Sequence, residues 1–140
     1  MSDYQKPLPA VDEGSRPFWE ACKRGQLVVQ QCNECGHRRW PLGPVCTECL
    51  SPAHQWVELS GLGEVWSWII YHHIFHPAFA SDVPYNVALI RLEEGHTMIS
   101  NVVADDLSSL RVGMKVRVVF DNVTPDISIP RFTPISEADR

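Results

Sequence analysis

Residues 31–50 read QCNECGHRRWPLGPVCTECL. Cys32 and Cys35 form one C-x-x-C pair and Cys46 and Cys49 a second, with ten residues between the pairs. A C-x-x-C turn aims two thiolates at one point, and two such turns complete a tetrahedral shell at about 2.3 Å for zinc to sulfur. Gly36 follows the first pair directly and eases the tight backbone. The gap is shorter than the commonest zinc spacing for this pattern, yet long enough for a ribbon hairpin. Iron in a rubredoxin-like site fits the same spacing. Four protein thiolates leave no open coordination position, so the expected Zn2+ is structural and not catalytic.

Working outward, QLVVQQC reads as a strand entering the first pair, and HQWVEL as the way out of the ribbon. Upstream, SRPFWEACKRG predicts a short helix, with Pro17 in its first turn and Gly25 just past its end. Phe18, Ala21 and Cys22 share one face at i, i+3 and i+4, and Trp19 lies beside it. A helix of two turns is marginal alone and must dock on something, in this chain or another.

From residue 57 onward the signals are all β. EVWSWIIYHHIF alternates, which puts Trp66, Trp68 and Ile70 on one face and Val65, Ile69 and Tyr71 on the other. YNVALIRLEEG and HTMISNVVAD read as a hairpin turning at Glu94-Gly95. DDLSSL is a loop or a single helical turn, and VGMKVRVVFDNV is a further strand. ISIPRFTPI, interrupted by Pro130, suits an edge or closing strand. About five strands over some eighty residues match a small closed barrel such as an OB-fold; a small sandwich fits the pattern almost as well. The expected organisation is an N-terminal arm and docking helix over 1–26, a zinc ribbon over 27–56, an OB-fold over 57–135 and a polar tail over 136–140.

Composition bounds the function. The chain has 140 residues, 44% hydrophobic and 21% charged, with a net charge of −5. Residues 1–50 are neutral and the whole deficit lies in residues 51–140. An acidic domain repels phosphate backbones, which argues against nucleic acid as the main partner. Nonetheless, ribbons and OB-folds both bind single strands, so a nucleic-acid-binding module is the alternative function. No apolar run approaches the ~20 residues that cross a bilayer, and MSDYQKPLPAVDEGS has no apolar core of signal-peptide type. A cytoplasmic protein is expected.

Other candidates weigh less. His72, His73 and His76 cluster in YHHIFHP and suggest a second metal site or a general base. Adjacent histidines in a strand point to opposite faces, however, and no acidic residue adjoins them; an interface or solvent-facing role fits better. Arg38, Arg39 and Trp40 lie toward the ribbon tip, where two cations beside an aromatic could clamp a phosphate or stack on a base. A solvated tip with Trp40 packed beneath fits equally. Cys22, the unpaired cysteine, reads as a small buried hydrophobe. Asp105-Asp106 and Glu93-Glu94 fall at turns. No G-x-S-x-G, P-loop or dinucleotide fingerprint occurs.

The order of features resembles the family known as DUF35. The matching pieces are Phe18-Trp19-Glu20-Ala21, Gly25-Gln26-Leu27, Cys32 to Gly36, Cys46 to Cys49, Trp56, Gly61-Leu62-Gly63-Glu64-Val65, Pro84-Tyr85, Leu92 to Gly95, Val112 to Val116 and Phe132-Thr133-Pro134. The resemblance implies a rubredoxin-like zinc ribbon followed by an OB-fold. It also implies an accessory role beside thiolase-like enzymes that cleave or condense acyl-CoA thioesters, in which the catalytic cysteines and histidines belong to the large partner. A hetero-oligomer, possibly two plus two, would then place acyl-CoA near this chain through the partner. Phe18, Trp19, Arg38, Arg39, Trp40, His72, His73 and His76 are the candidate contacts with that partner or its thioester.

Overall fold

The computed structural model describes residues 4–135. The expected polar tail over 136–140 lies outside the described residues. The chain is mainly β. One helix, α1 (Arg16–Lys23), precedes eight strands: β1 (Val28–Cys32), β2 (Arg38–Arg39), β3 (His54–Glu58), β4 (Leu62–Tyr71), β5 (Tyr85–Leu92), β6 (Thr97–Ser100), β7 (Lys115–Asn122) and β8 (Ser128–Pro134). No helix among the described residues is long and apolar enough to cross a membrane.

The strands form two antiparallel sheets, one of three strands in the order β2-β1-β3 and one of five in the order β6-β5-β4-β7-β8. The segment HQWVEL therefore does more than lead out of the ribbon. As β3 it pairs along the whole of β1, from Val28 opposite Glu58 to Cys32 opposite His54.

The five-stranded sheet curls until its edges meet, which is the OB-type half-barrel and not a sandwich. Val102, just after β6, bridges Phe132 of β8 in parallel. Val103 N–H donates to Phe132 O at 2.7 Å, and Phe132 N–H donates to Asn101 O at 2.9 Å. Pro130 sits on this closing strand, where it has no N–H to lose, and its carbonyl accepts from Ser100 Oγ at 3.0 Å. The G-x-G step entering β4 is dictated by closeness. Gly61 has φ +81°, and a Cβ there would lie 2.6 Å from Val118 Cγ1; at Gly63 it would lie 2.7 Å from the Arg91 carbonyl oxygen.

The alternation in β4 breaks where a β-bulge shifts the register between Val65 and Ser67. One extra residue resets the phase of everything after it. Val65 is therefore buried, Trp66 is exposed, and Trp68 and Ile70 turn back toward the core. This corrects the simple two-face reading, which grouped Trp66 with Trp68 and Ile70.

A single core runs through both parts. Val65, Ile90, Val116 and Phe132 fill the barrel, and Phe18, Ala21, Cys22, Leu27 and Val29 continue it beneath the ribbon. Helix α1 packs on β1, β7 and β8. The marginal helix is thus docked within its own chain, with its Phe18–Ala21–Cys22 face inward. Burial pushes the Cys22 thiol up to about 12, as befits a small hydrophobe.

Candidate metal centre

Strand β1 delivers Cys32 to the first turn. There Cys32 N–H donates to His37 O at 2.8 Å and Gly36 N–H to Cys32 O at 3.0 Å. The second turn repeats the pattern, with Cys46 N–H to Ser51 O and Leu50 N–H to Cys46 O, both at 2.9 Å. The residue closing each turn is left-handed: Gly36 at φ +77° and Leu50 at φ +65°. Backbone N–H groups also point at sulfur, Glu34 to Cys32 Sγ and Glu48 to Cys46 Sγ, each at 3.4 Å. Such donors stabilise thiolates.

The four sulfurs converge. Cys32 Sγ lies 3.5 Å from Cys49 Sγ, and Cys35 Sγ lies 3.6 Å from Cys46 Sγ. All four lie within 4.8 Å of one another. A tetrahedron with bonds of about 2.3 Å has edges of about 3.8 Å, so one ion fits at the centre. A disulfide would need about 2.05 Å, and all five cysteines are free. Cys32 and Cys46 are buried while Cys35 and Cys49 face outward. Four thiolates would close the shell, which leaves an ion held there no position for water or substrate.

The thiols differ in readiness. The backbone N–H of Cys35 holds Cys32 down to about 6. Cys49 takes a lowering hydrogen bond from the Ser51 backbone, yet the neighbouring Cys32 sulfur and burial push it up to about 12. Any thiol of the four that is still protonated must release its proton on metal binding. Affinity must then rise with pH, by about tenfold per unit for each proton released. Below about pH 6, where Cys32 also protonates, metal is expected to be lost steeply; a chelator competition across pH 5.5–8 measures this.

Arg39 corrects the picture of a solvated ribbon tip. It is 3% exposed. Its Nε donates to Gln30 Oε1 at 2.9 Å and its Nη2 to the Gly43 carbonyl at 3.0 Å, while Gly43 N–H donates back to Gln30 Oε1 at 2.9 Å. The guanidinium therefore ties the loop between the two cysteine turns to β1. Phe18 is 2% exposed, with ring centroids 5.0 Å from both Trp19 and Trp40. These contacts take Phe18 and Arg39 out of the set of surface contacts, because both are spent inside the chain. Trp19, Trp40 and Arg38 are half-buried, and Arg38 Nε donates to Gln31 Oε1 at 3.1 Å.

The histidines do not assemble. His72 and His73 are exposed, and His73 stacks edge-on against Phe75. His76 Nδ1 instead accepts from Ala78 N–H at 3.1 Å and caps the short 3-10 turn Pro77–Phe79. Among the described residues the four cysteines are the one group of three or more His, Cys, Asp or Glu placed to hold a metal. The acidic pairs serve turns: Asp106 caps the 3-10 turn Leu107–Ser109, and Glu94 Oε2 accepts from Ser60 N–H at 2.8 Å. An exposed contact that sequence reasoning missed is Arg91 over the Trp66 ring, 4.6 Å from its centroid. The bulge that turns Trp66 outward has no sequence signature.

A four-cysteine ribbon packed through one helix onto an OB-type half-barrel defines a ribbon–OB module. Known proteins share both halves. The model of the ChsH2 rubredoxin-like zinc ribbon domain matches residues 19–55, and that of the ChsH2 C-terminal OB-fold domain matches residues 56–121. A DUF35 domain-containing scaffold protein of Methanothermobacter thermautotrophicus is 30% identical over 81% of this chain and 85% of its own length. The chain belongs to the DUF35 family.

A solved structure named Ltp2-ChsH2(DUF35) aldolase contains a chain 37% identical to this one. The match covers 91% of this chain and 98% of that one, with a TM-score of 0.81. A "Probable enoyl-CoA hydratase alpha subunit" of Thermomonospora curvata is 37% identical over 92% of this chain. This chain spans 40% of that protein's length.

Proposed function

We propose that this chain is a non-catalytic accessory subunit of a thiolase-like aldolase or thiolase acting on acyl-CoA thioesters. The observation that carries the reading is the likeness to the DUF35 chain of the Ltp2-ChsH2 aldolase, which runs over nearly the whole of both chains. The site agrees with it. The four thiols converge as a closed metal shell would need, and among the described residues His72, His73 and His76 form no second metal-holding group.

In this reading Cys32, Cys35, Cys46 and Cys49 hold one Zn2+, and the ion's contribution is rigidity. The ribbon of residues 27–56, the OB domain of 57–135 and helix α1 act as one body. Trp19, Arg38, Trp40, His72, His73 and His76 remain the candidate contacts with the partner or its thioester. The complex holds two large and two small subunits in the cytoplasm. Acyl-CoA is bound mainly by the large subunit, and this chain shapes the entrance to its site. DUF35 proteins named as scaffolds fit an assembly role.

The test is association. Tagged full-length chain is expected to co-elute stoichiometrically with a thiolase-like protein from its host, and to show negligible binding to single-stranded DNA or RNA at low salt. Tight nucleic-acid binding with a steep salt slope, and no such partner, would support the single-strand-binding alternative instead.

A further inference from the structure

Strand β4 is ten residues long, but β7 pairs only with its first part, Leu62 to Glu64. A last pair of bonds joins Val65 to Met114 and Gly113. Beyond the bulge, Ser67 to Tyr71 pair on one side only, with Leu89 to Tyr85 of β5. Among the described residues, no further backbone bond reaches this stretch. Antiparallel alternation turns Ser67, Ile69 and Tyr71 toward β5, so the N–H and C=O groups of Trp68 and Ile70 face the open side. Folded proteins blunt such edges with charge, proline or a covering element. Here the run WSWIIY carries neither charge nor proline.

The outward face beside this edge is apolar as well. Ile69 is 55% exposed and Ile99 69%. In register, Ile69 lies opposite Val87, and Leu89, two residues further along the same face of β5, lies opposite Ile99. A continuous apolar face next to an unpaired edge marks an interaction surface.

We propose that the large partner subunit docks here, laying an extended, uncharged segment along Trp68–Ile70 as a sixth strand and covering Ile69, Leu89 and Ile99. This rests on the accessory-subunit reading. A second copy of the chain is a poor occupant. Self-pairing centred on Ile69 runs into the bulge at Trp66 on one side and the end of β4 at Tyr71 on the other. It would join only about five residues, a strip some 17 Å long, where a stable interface engages roughly 20–30 residues a side. A larger partner can span edge and face together, and the similar DUF35 chain is found with a second, different protein.

The experiment uses the full chain and the thiolase-like subunit first purified with it, then produced recombinantly. Ile69→Lys places a charge at an exposed position, so folding is retained. It is expected to weaken association about thirtyfold. In the wild-type complex, hydrogen exchange at the Trp68 and Ile70 amides is expected to slow at least tenfold relative to the free chain. An intact complex with Ile69→Lys, or unprotected Trp68 and Ile70 amides in the wild-type complex, would overturn this docking mode while leaving the accessory role standing. A free chain that dimerises and is made monomeric by Ile69→Lys would assign the edge to a second copy, against the proposal. Failure of the wild-type chain to associate at all would remove the accessory reading and this inference with it.

Discussion

Cys46→Ala is expected to strip the metal and unfold the ribbon while the barrel survives. Cys46 is fully buried and lies 3.6 Å from Cys35 Sγ. Its backbone also holds the second turn through Ser51 and Leu50. Structural zinc binds small finger peptides with an apparent 10–16 kcal/mol or so, and most of that is folding free energy of the ribbon. Removing one of four thiolates opens the shell and forfeits much of it. The barrel has its own ladders from β4 to β8 and its own closure at Val102–Phe132. Elemental analysis should fall from one metal per chain toward none, and amide protection should vanish over residues 28–58 first. Cys22→Ala, at the buried cysteine outside the cluster, should keep its metal. Full metal content in Cys46→Ala would refute the four-thiolate assignment.

Phe18→Ala should cost about 3–5 kcal/mol, the range for a large aromatic removed from a packed core. Phe18 is where three parts of the chain meet: helix α1 that carries it, Trp40 at the end of β2, and the core shared with β7 and β8. Truncation leaves Trp19 and Trp40 facing a void, so the ribbon loosens from the barrel as the helix does. Thermal melting by circular dichroism measures the loss. A change below about 1 kcal/mol would mean that Phe18 serves an external partner and not the fold.

Much of this architecture could be read from residue order. The two C-x-x-C pairs announce convergent thiolates because their spacing alone brings two turns to one point. Helix α1 was readable from Pro17, Gly25 and the i, i+3, i+4 face. The hairpin at Gly95 and the closing strand with Pro130 followed from turn and edge chemistry. What could not be read depends on tertiary contact. Arg39 looks like a surface cation in sequence and becomes a buried tie because Gln30 lies opposite it across the ladder. Phe18 looks available for docking until Trp40 packs on it. Trp66 reads as sharing a face with Trp68 and Ile70 until the bulge shifts the phase of β4. His72, His73 and His76 are neighbours in sequence, and the strand's end with its 3-10 turn separates their roles.

The chain supplies a four-cysteine ribbon, an OB-type half-barrel and, among the described residues, a strand edge with no partner. Chemistry on a thioester would need a nucleophile with a positioned base, and the reading places both in the large subunit.

Turnover of an acyl-CoA thioester by the large subunit, with and without this chain, tests the accessory role most directly. No turnover is expected from this chain alone, little from the large subunit alone, and at least tenfold more from the reconstituted complex. Replacing His72, His73 and His76 together by alanine should leave the chemical step unchanged once the complex is saturated. Full activity from the large subunit by itself, or turnover by this chain alone, would contradict it.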